Sequence, residues 1–460
     1  MKVVVFGCGP MPCEPEFAVT APGARTWQMV QTVANGLILA DVPDPQVLVI
    51  ALDSVRRDTA NAPLSFDLAL DAALLHETEA PATVQFTYLP LSIEGFKLMG
   101  QGKWPEILND TPDAIVATGS AQPYATAALY ARHVARPLWV DVFGDPLAEL
   151  QSRAELFPER KEENDSFYYH TWKLLMEALM QGDIFSTLST RQRFSLIGHL
   201  GVAGRLNRST RCYEFVHPIP YGVFPASAPQ MPEPHDHAFF VVMWCGSFNT
   251  WMDVDTLALG IVKAWQKNRR LRLLIAGGAC PGYNERSFQR FSELIRRENA
   301  SEAIRLVDWQ PYGELNKLYA EADVGLSIDR PTYEAMLGSR TRLIHFLLAG
   351  KPVISTTPTE LAEDLERAGV LLPFRMGDPD HLAEVLLAAG ERSAELCELG
   401  RRGREYVLTR YHGRIIGAAL IEWLANPTYA PDKRGPHSTL DPGNPLANYW
   451  QHSLDNVRTF

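Results

Sequence analysis

The chain contains two successive series of alternating strand and helix patterns, separated by one proline-rich stretch. The first series begins with an apolar run at residues 2–9 (KVVVFGCG), and the second begins at residues 239–245. Continuous apolar runs are typical of parallel strands that are buried on both faces. The intervening residues 226–237 (ASAPQMPEPHDH) show no periodicity. This pattern predicts an α/β fold with two Rossmann-like domains, each built on a parallel sheet.

The same pattern gives the domain boundaries. We predict a first domain over residues 1–225, a linker over 226–238 and a second domain over 239–410. A helical pattern follows Tyr411, and we expect residues 411–460 to form a C-terminal helix and tail that pack on the first domain. A length of 460 residues suits two or three domains.

Composition excludes several classes of function. The formal net charge of −11 argues against nucleic acid as a partner. The six cysteines are scattered without a CxxC pair, so neither a zinc site nor a disulfide framework is indicated, and a reducing cytoplasm is the expected location. No apolar run has the length of a membrane span, and Lys2 precedes a strand pattern rather than a signal-peptide core. We expect at most peripheral contact with membranes.

The stretch from Asp329 to Thr356 carries the clearest candidate site. It contains Glu334, then Gly338-Ser339, and then Arg340-Thr341-Arg342 before an apolar helix face. Backbone N–H groups at a helix start beside arginines favour an anion, and two arginines suit a diphosphate. The alternative is a surface helix with solvated arginines.

In the second series, polar loops follow each predicted strand. Ligands of open α/β sheets bind at the carboxyl ends of the strands, so these loops predict a nucleotide site in a cleft between the two domains. The candidate residues outside the 329–356 stretch are Gly246, Asn249, Thr250, Gly277, Trp309 and Gln310. The glycines could equally serve only tight turns, and Trp309 could be core. Asp253 and Asp255 open a helix without a third ligand nearby, so no metal site is predicted.

Four segments of the second half resemble the nucleotide-binding domain of GT-B glycosyltransferases, particularly the retaining family 4 (group 1) enzymes. These segments are WCGSFNTWMDVDTL, LRLLIAGG, IRLVDWQPYGELNKLYAEADVGLSI and YEAMLGSRTRLIHFLLAGKPVIST. The resemblance covers about residues 240–400, and the first half by architecture only. It implies that the first glycine loop holds a diphosphate, the loop after the third strand holds the base, and the acidic loop contacts the sugar.

The chain departs from the family pattern in three places. His345 stands where the second of two glutamates is usual, and Glu334 lies eleven residues before it. Asn249-Thr250-Trp251 replaces the usual basic residue after the first glycine loop. Gly119-Ser120 replaces a histidine of the first domain. Positive charge at the donor would then come from Arg340 and Arg342.

The resemblance implies that the first half binds the acceptor. The expected acceptor-side residues are Gly9, Arg25 and Asp141, and the expected catalytic residues are Asp145 and Glu334. Arg25 could instead be a solvated helix residue, and Asp145 could form an Asp-Pro turn. Of the two arginines, we expect Arg340 to contact the diphosphate, because it lies nearer the helix start.

The expected function is transfer of a sugar, with retention, from a nucleotide-diphosphate sugar to an acceptor hydroxyl on a carbohydrate, lipid-linked or protein acceptor in glycan or glycoconjugate synthesis. No cofactor and no metal are expected. Two alternatives remain at this point: a nucleotide-sugar epimerase of the same fold, and a catalytically silent partner subunit that binds carbohydrate.

Overall fold

The structure is a computed structural model that describes residues 1–53, 62–70, 83–225, 228, 231 and 238–433. Of the predicted linker it describes only residues 228, 231 and 238, so that boundary stays a prediction. Residues 434–460 of the predicted tail also lie outside the described residues.

The described residues of the first half form an eight-stranded sheet. Its strands are β1 (Lys2–Gly9), β2 (Gln46–Asp53), β3 (Leu64–Ala69), β4 (Thr83–Leu91), β5 (Ala114–Ala117), β6 (Leu138–Val142), β7 (Ile184–Thr187) and β8 (Val216–Pro218). Their order is β3-β4-β2-β1-β5-β6-β7-β8. All neighbours are parallel except β3, which pairs antiparallel with β4 at the edge and was not predicted.

The central strand β1 shows why the sheet lies between two layers of helices. Val4 and Phe6 belong to one apolar cluster and Val3 and Val5 to another, and all four side chains are fully buried. Successive side chains of a strand point to opposite faces, so both faces of β1 must be covered. The covering helices are α1 (Ala21–Leu39), α2 (Ile93–Gly100), α3 (Ala121–Val134), α4 (Pro146–Leu156), α5 (Lys161–Gln181) and α6 (Thr190–Val202).

The second half repeats this architecture with a six-stranded sheet that is parallel throughout. Its strands are β9 (Phe240–Cys245), β10 (Leu271–Ala276), β11 (Ile304–Asp308), β12 (Val324–Ser327), β13 (Val353–Ser355) and β14 (Leu371–Pro373), in the order β11-β10-β9-β12-β13-β14. Its helices are α7 (Val254–Lys267), α8 (Arg286–Arg297), α9 (Leu315–Glu321), α10 (Tyr333–Leu337), α11 (Thr341–Leu348), α12 (Glu360–Arg367), α13 (Pro379–Gly390) and α14 (Ser393–Arg410). The order changes direction at β9 and β12, so the loops after these strands diverge and open a crevice.

The C-terminal segment returns to the first domain, as predicted. After α15 (Gly413–Ile416), helix α16 (Ala418–Ala425) packs on α1, and the Trp423 ring lies 5.6 Å from that of Trp139 in β6. Farther along, Asp432 accepts hydrogen bonds of 2.7 and 3.0 Å from buried Arg205. The predicted fold class, with two Rossmann-like domains and a returning helix, is confirmed.

This packing predicts that Trp423 stabilises the first domain although it lies far away in sequence. We expect Trp423→Ala to lower the free energy of unfolding by about 3–5 kcal/mol, because it removes a large buried aromatic side chain. Ile415 of α15 is 59% exposed, and Ile415→Ala should change stability by less than about 0.5 kcal/mol. Chemical denaturation monitored by circular dichroism measures both. Equal effects of the two variants would show that α16 is not part of the first domain's core.

Candidate active site

The glycine loops after β9 and β10 come into direct contact. Gly246 and Gly277 have φ angles of +106° and +127°, which favour glycine. A Cβ atom on Gly277 would lie 2.2 Å from the carbonyl oxygen of Gly246. The two loops can therefore approach this closely only because Gly277 lacks a side chain. They form one wall of the crevice at the carboxyl ends of the strands.

Arg342, on the first turn of α11, lies against this wall. Its guanidinium stacks over the Trp244 ring at 3.7 Å, and its Nη2 lies 3.6 Å from the position that a Cβ of Gly246 would occupy. Its Nη1 is buried and has no hydrogen-bond partner among the described residues. Burial lowers the pKa of Arg342 to about 10, and the nearby Asp329 carboxylate acts in the opposite direction. Arg342 therefore stays charged at neutral pH, although no described carboxylate forms an ion pair with it.

Arg340 occupies a different environment. Its Nε donates to Asp329 at 2.7 Å, and its Nη1 and Nη2 donate to the two carboxylate oxygens of Glu334 at 2.9 and 2.7 Å. All three side chains are buried. Two carboxylates already compensate this arginine, so it is poorly suited to bind a third anion. The predicted preference for Arg340 over Arg342 is corrected accordingly: the structure leaves Arg342 available.

The backbone around Gly338 explains this difference. Helix α10 ends at Leu337, and α11 begins at Thr341 with Arg340 as its N-cap, so Arg340 is not part of a regular helix. A Cβ on Gly338 would lie 2.6 Å from Oε1 of Glu334. Gly338 thus lets the Glu334 carboxylate fold back onto Arg340. Ser339 and Thr341 are half-buried between the two helices.

The other predicted donor residues line the same sheet edge. Asn249 donates to Ser247 at 3.2 Å, and Thr250 is buried with its carbonyl oxygen bound by Arg330 at 2.8 Å. Trp309 donates from its indole to the carbonyl oxygen of Ala279 at 3.2 Å. The Gln310 side chain donates to the carbonyl oxygen of Val307. The loops after β9, β10, β11 and β12 are therefore neighbours, as the sequence predicted.

Two predicted acceptor-side residues have structural roles instead. Arg25 and Asp141 are fully buried and form a two-pronged ion pair of 2.6 and 2.8 Å. Asp141 also accepts hydrogen bonds of 2.7 Å from Thr118 and Ser186. Neither side chain reaches the cleft, so their expected contact with the acceptor is corrected. Arg25 is not solvated either, because it joins α1 to β6.

Asp145 and Gly9 also have structural roles within the first domain. Asp145 is the N-cap of α4 and accepts from the backbone N–H groups of Leu147 and Ala148 at 3.1 Å. Its second carboxylate oxygen accepts from Ser195 at 2.9 Å. These contacts make Asp145 a helix cap, so its expected catalytic role stays a prediction. Gly9 ends β1, where a Cβ would lie 2.3 Å from the Tyr88 hydroxyl oxygen.

The two domains are in contact across the cleft. The loop between β1 and α1 accepts backbone hydrogen bonds from the second domain, from Tyr312 to Phe17 at 2.8 Å and from Gly313 to Pro15 at 2.9 Å. Arg330 donates to the carbonyl oxygen of Ser152 in α4 at 2.8 Å. The described residues thus form a closed arrangement in which the loop of residues 10–23 faces the second domain, as predicted.

Sequence reasoning missed a cavity of about 160 Å³ between the domains. His345 and Tyr221 line it and are 2.9 Å apart, from the imidazole Nε2 to the hydroxyl oxygen. Burial lowers the pKa of His345 to about 4, so its ring is neutral. The only signal in the sequence was the position of His345, where the family has a glutamate. The cavity lining also includes Trp27, Gln28, Gln31, Tyr312, Asn316 and Tyr319.

The carboxylates of Asp253 and Asp255, which form the Asp-x-Asp sequence, already have partners within the protein. Asp253 caps α7 by accepting from the backbone N–H of Thr256 at 3.0 Å, and Asp255 pairs with Arg290 at 2.9 Å. Among the residues that the structure describes, no group of three or more His, Cys, Asp or Glu side chains is arranged to hold a metal ion. In the same residues, no helix is both long and apolar enough to cross a membrane.

Comparison with solved structures identifies the architecture. HepE of Anabaena, in complex with UDP and glucose, superposes with a TM-score of 0.60 and 16% identity over 92% of this chain and 99% of that chain. Sucrose-phosphate synthase from Thermosynechococcus elongatus gives a TM-score of 0.58 and 15% identity over 92% and 97% of the two chains. The E. coli trehalose-6-phosphate protein bound with UDP-2-fluoro glucose gives 0.58 and 11% over 93% and 100%. The fold is GT-B.

A family comparison agrees with this result and is confined to the second domain. Residues 240–391 match the family described as Glycosyl transferases group 1. No curated protein matches the chain closely enough to show a relationship. The chain thus has the GT-B fold, and its second domain matches the model of the group 1 glycosyltransferases in the region whose motifs indicated that resemblance.

The ion cluster predicts that Arg340 is needed for stability. Arg340→Met should lower the free energy of unfolding by about 3–5 kcal/mol, because it leaves two buried carboxylates without a counter-charge. Arg367 is an exposed arginine of α12, and Arg367→Met should have little effect. Thermal and urea denaturation measure the difference. An Arg340→Met protein as stable as the parent would contradict the structural role.

Proposed function

We propose that this protein transfers a sugar from a nucleotide-diphosphate sugar to an acceptor hydroxyl. The observation that carries the proposal is the buried Nη1 of Arg342, which has no hydrogen-bond partner among the described residues. A buried charged N–H group without an acceptor is costly unless a ligand supplies one. The group stands beside Gly246, at the crevice where a group 1 domain is expected to hold its donor. A diphosphate there would supply the missing hydrogen-bond acceptor together with negative charge.

The same arrangement supports a chemical role for Arg342. When the bond between the sugar and the diphosphate breaks, negative charge grows on the leaving phosphate. A fixed arginine in a partly closed cleft stabilises this charge without reorganisation. Glu334, held in place by Arg340, then lies at the donor's sugar end, as the family resemblance implies. Burial raises the pKa of Glu334, and Arg340 counteracts that effect.

The nucleoside end of the donor is proposed to point toward the cavity at His345. His345 lies one helical turn beyond Arg342 on α11, so the two side chains occupy neighbouring positions on one face. The neutral imidazole can hydrogen-bond a ribose hydroxyl in place of the usual glutamate. Two similar structures, HepE and the E. coli protein, are complexes with UDP or a UDP-sugar analogue, so UDP is the first nucleotide to test.

Two further features belong to the proposal. The resemblance favours retention at the anomeric carbon, which NMR of the first-formed product determines. The acceptor is a hydroxyl compound whose class is open among carbohydrates, lipid-linked sugars and proteins. Conversion of the donor to an epimer without acceptor would favour an epimerase instead, and donor binding without any turnover would favour a silent subunit.

Arg342 predicts a selective loss of phosphate binding. Arg342→Ala should weaken binding of UDP by about tenfold to a hundredfold, because it removes a charge-assisted hydrogen bond of about 1.5–3 kcal/mol. Binding of uridine, which lacks phosphate, should change little. Isothermal titration calorimetry measures both ligands.

Arg269 provides a matched control, because it also stacks over a tryptophan at 3.7 Å but lies exposed on the surface. Arg269→Ala should bind UDP as the parent does. Equal losses for UDP and uridine in Arg342→Ala would indicate a structural effect, and unchanged binding of both would remove Arg342 from the site.

Catalysis is proposed to be independent of metal, because Asp253 and Asp255 already have partners and Arg342 supplies positive charge. Turnover of the donor should persist in excess chelator and should not increase with added manganese. Release of nucleoside diphosphate, followed by mass spectrometry, measures this. Loss of turnover in chelator that manganese restores would contradict the proposal.

A further inference from the structure

Glu149 is a carboxylate that the first domain presents to the cleft. It lies in the first turn of α4, four residues after the cap residue Asp145. Its Oε1 accepts a hydrogen bond of 3.3 Å from the hydroxyl of Tyr283, in the loop after β10 of the second domain. Glu149 therefore faces the donor-side domain directly.

The surroundings of Glu149 place it near the proposed donor loop. The Cys280 thiol hydrogen-bonds Ser247, the residue after Gly246, and lies within electrostatic range of both Glu149 and Arg342. The Glu334 carboxylate is also within electrostatic range of Glu149. The Tyr283 contact thus holds Glu149 beside the loop after β10, on the side of the cleft where Glu334 lies. The charged or titratable groups of the second domain near Glu149 are Tyr283, Cys280, Glu334 and Arg340. From the helix of Glu149 itself, the Arg153 guanidinium lies 5.6 Å from the centre of the Tyr283 ring.

Glu149 differs from the other carboxylates near the cleft in its hydrogen-bond and ion-pair partners. Asp141 and Glu334 are held by arginines, and Asp145 is held by a helix start and a serine. Within the described part of the chain, the Glu149 carboxylate accepts a hydrogen bond from the Tyr283 hydroxyl and takes part in no ion pair. Its second oxygen can therefore accept a hydrogen bond from a substrate.

The environment also suits proton transfer. Burial, together with the negative charge of Glu334, raises the pKa of Glu149 to about 7, while Tyr283 and Arg340 act in the opposite direction. A general base works best when its pKa lies near the working pH. At neutral pH a large share of Glu149 is ionised and ready to accept a proton.

We propose that Glu149 is the general base of the transfer and takes the proton of the attacking hydroxyl. The hydroxyl oxygen attacks from the face that the diphosphate leaves, as retention requires, and forms a bond to the anomeric carbon as the bond from that carbon to the diphosphate oxygen breaks. The electron pair of the broken bond leaves with the diphosphate, and the proton moves to the Glu149 carboxylate and then to solvent. Water can replace the acceptor in the same step. This inference rests on the proposed function.

The pH dependence of donor turnover tests the role. With water as acceptor, kcat/KM for release of UDP from a UDP-sugar should rise with pH and level off above about pH 7, because the base must be ionised. Glu149→Gln should lower kcat/KM by about a hundredfold or more and abolish this inflection, while UDP affinity stays within about twofold. Glu149→Asp keeps a carboxylate and should retain part of the rate.

Tyr283→Phe gives a readout that a structural role would not produce. The Tyr283 hydrogen bond lowers the pKa of Glu149, so its removal should move the inflection to higher pH without abolishing it. Glu159 is a matched control, because it also contacts the second domain, through Arg286, but lies at the exposed rim. Glu159→Gln should keep the parent's rate and inflection.

The outcomes separate this inference from the proposed function. A parent protein that does not bind UDP contradicts the proposed function itself. A parent that turns over the donor, with an unchanged rate and inflection in Glu149→Gln, overturns the base role alone. A parent that binds UDP but turns over no nucleotide sugar also overturns the base role, while donor binding stands. A loss of rate in Glu159→Gln equal to that in Glu149→Gln would mean that domain contact, not proton transfer, is responsible.

Discussion

The candidate site depends on one buried ion cluster at the end of β12. Arg340 is held between Asp329 and Glu334, with all three side chains removed from solvent. Such a cluster persists only when every charge has a partner, so it fixes the chain between α10 and α11 in one conformation. That conformation starts α11 at Thr341 and directs Arg342 onto Trp244. Arg340, held by two carboxylates, thus positions Arg342, whose Nη1 has no partner among the described residues.

The second determinant is the contact between the two domains. The first domain contributes helix α4, whose residues meet the loops after β10 and β12. Arg330 binds the backbone of Ser152, and Tyr283 binds the carboxylate of Glu149. These contacts bring a carboxylate of one domain opposite the anion-binding loops of the other. A cleft lined in this way excludes water and strengthens each electrostatic interaction within it.

The sequence was sufficient for the fold, because continuous apolar strands and glycine-ended loops are local signals. It also predicted that the loops after β9, β10, β11 and β12 are neighbours, since the ends of parallel strands share one sheet edge. It did not distinguish Arg340 from Arg342, because that choice depends on which arginine meets Asp329 and Glu334. The same reason applies to Arg25 and Asp141, which pair with each other across 116 positions of the sequence. Glu149 carries no local signal, since its role arises only when the domains meet.

The most direct test of this account is a structure of the protein bound to UDP. The account predicts that a phosphate oxygen lies within hydrogen-bond distance of Arg342, while Arg340 keeps its contacts to Asp329 and Glu334. A phosphate bound by Arg340, with Glu334 released from it, would contradict the account. So would a diphosphate bound away from Gly246 and Arg342.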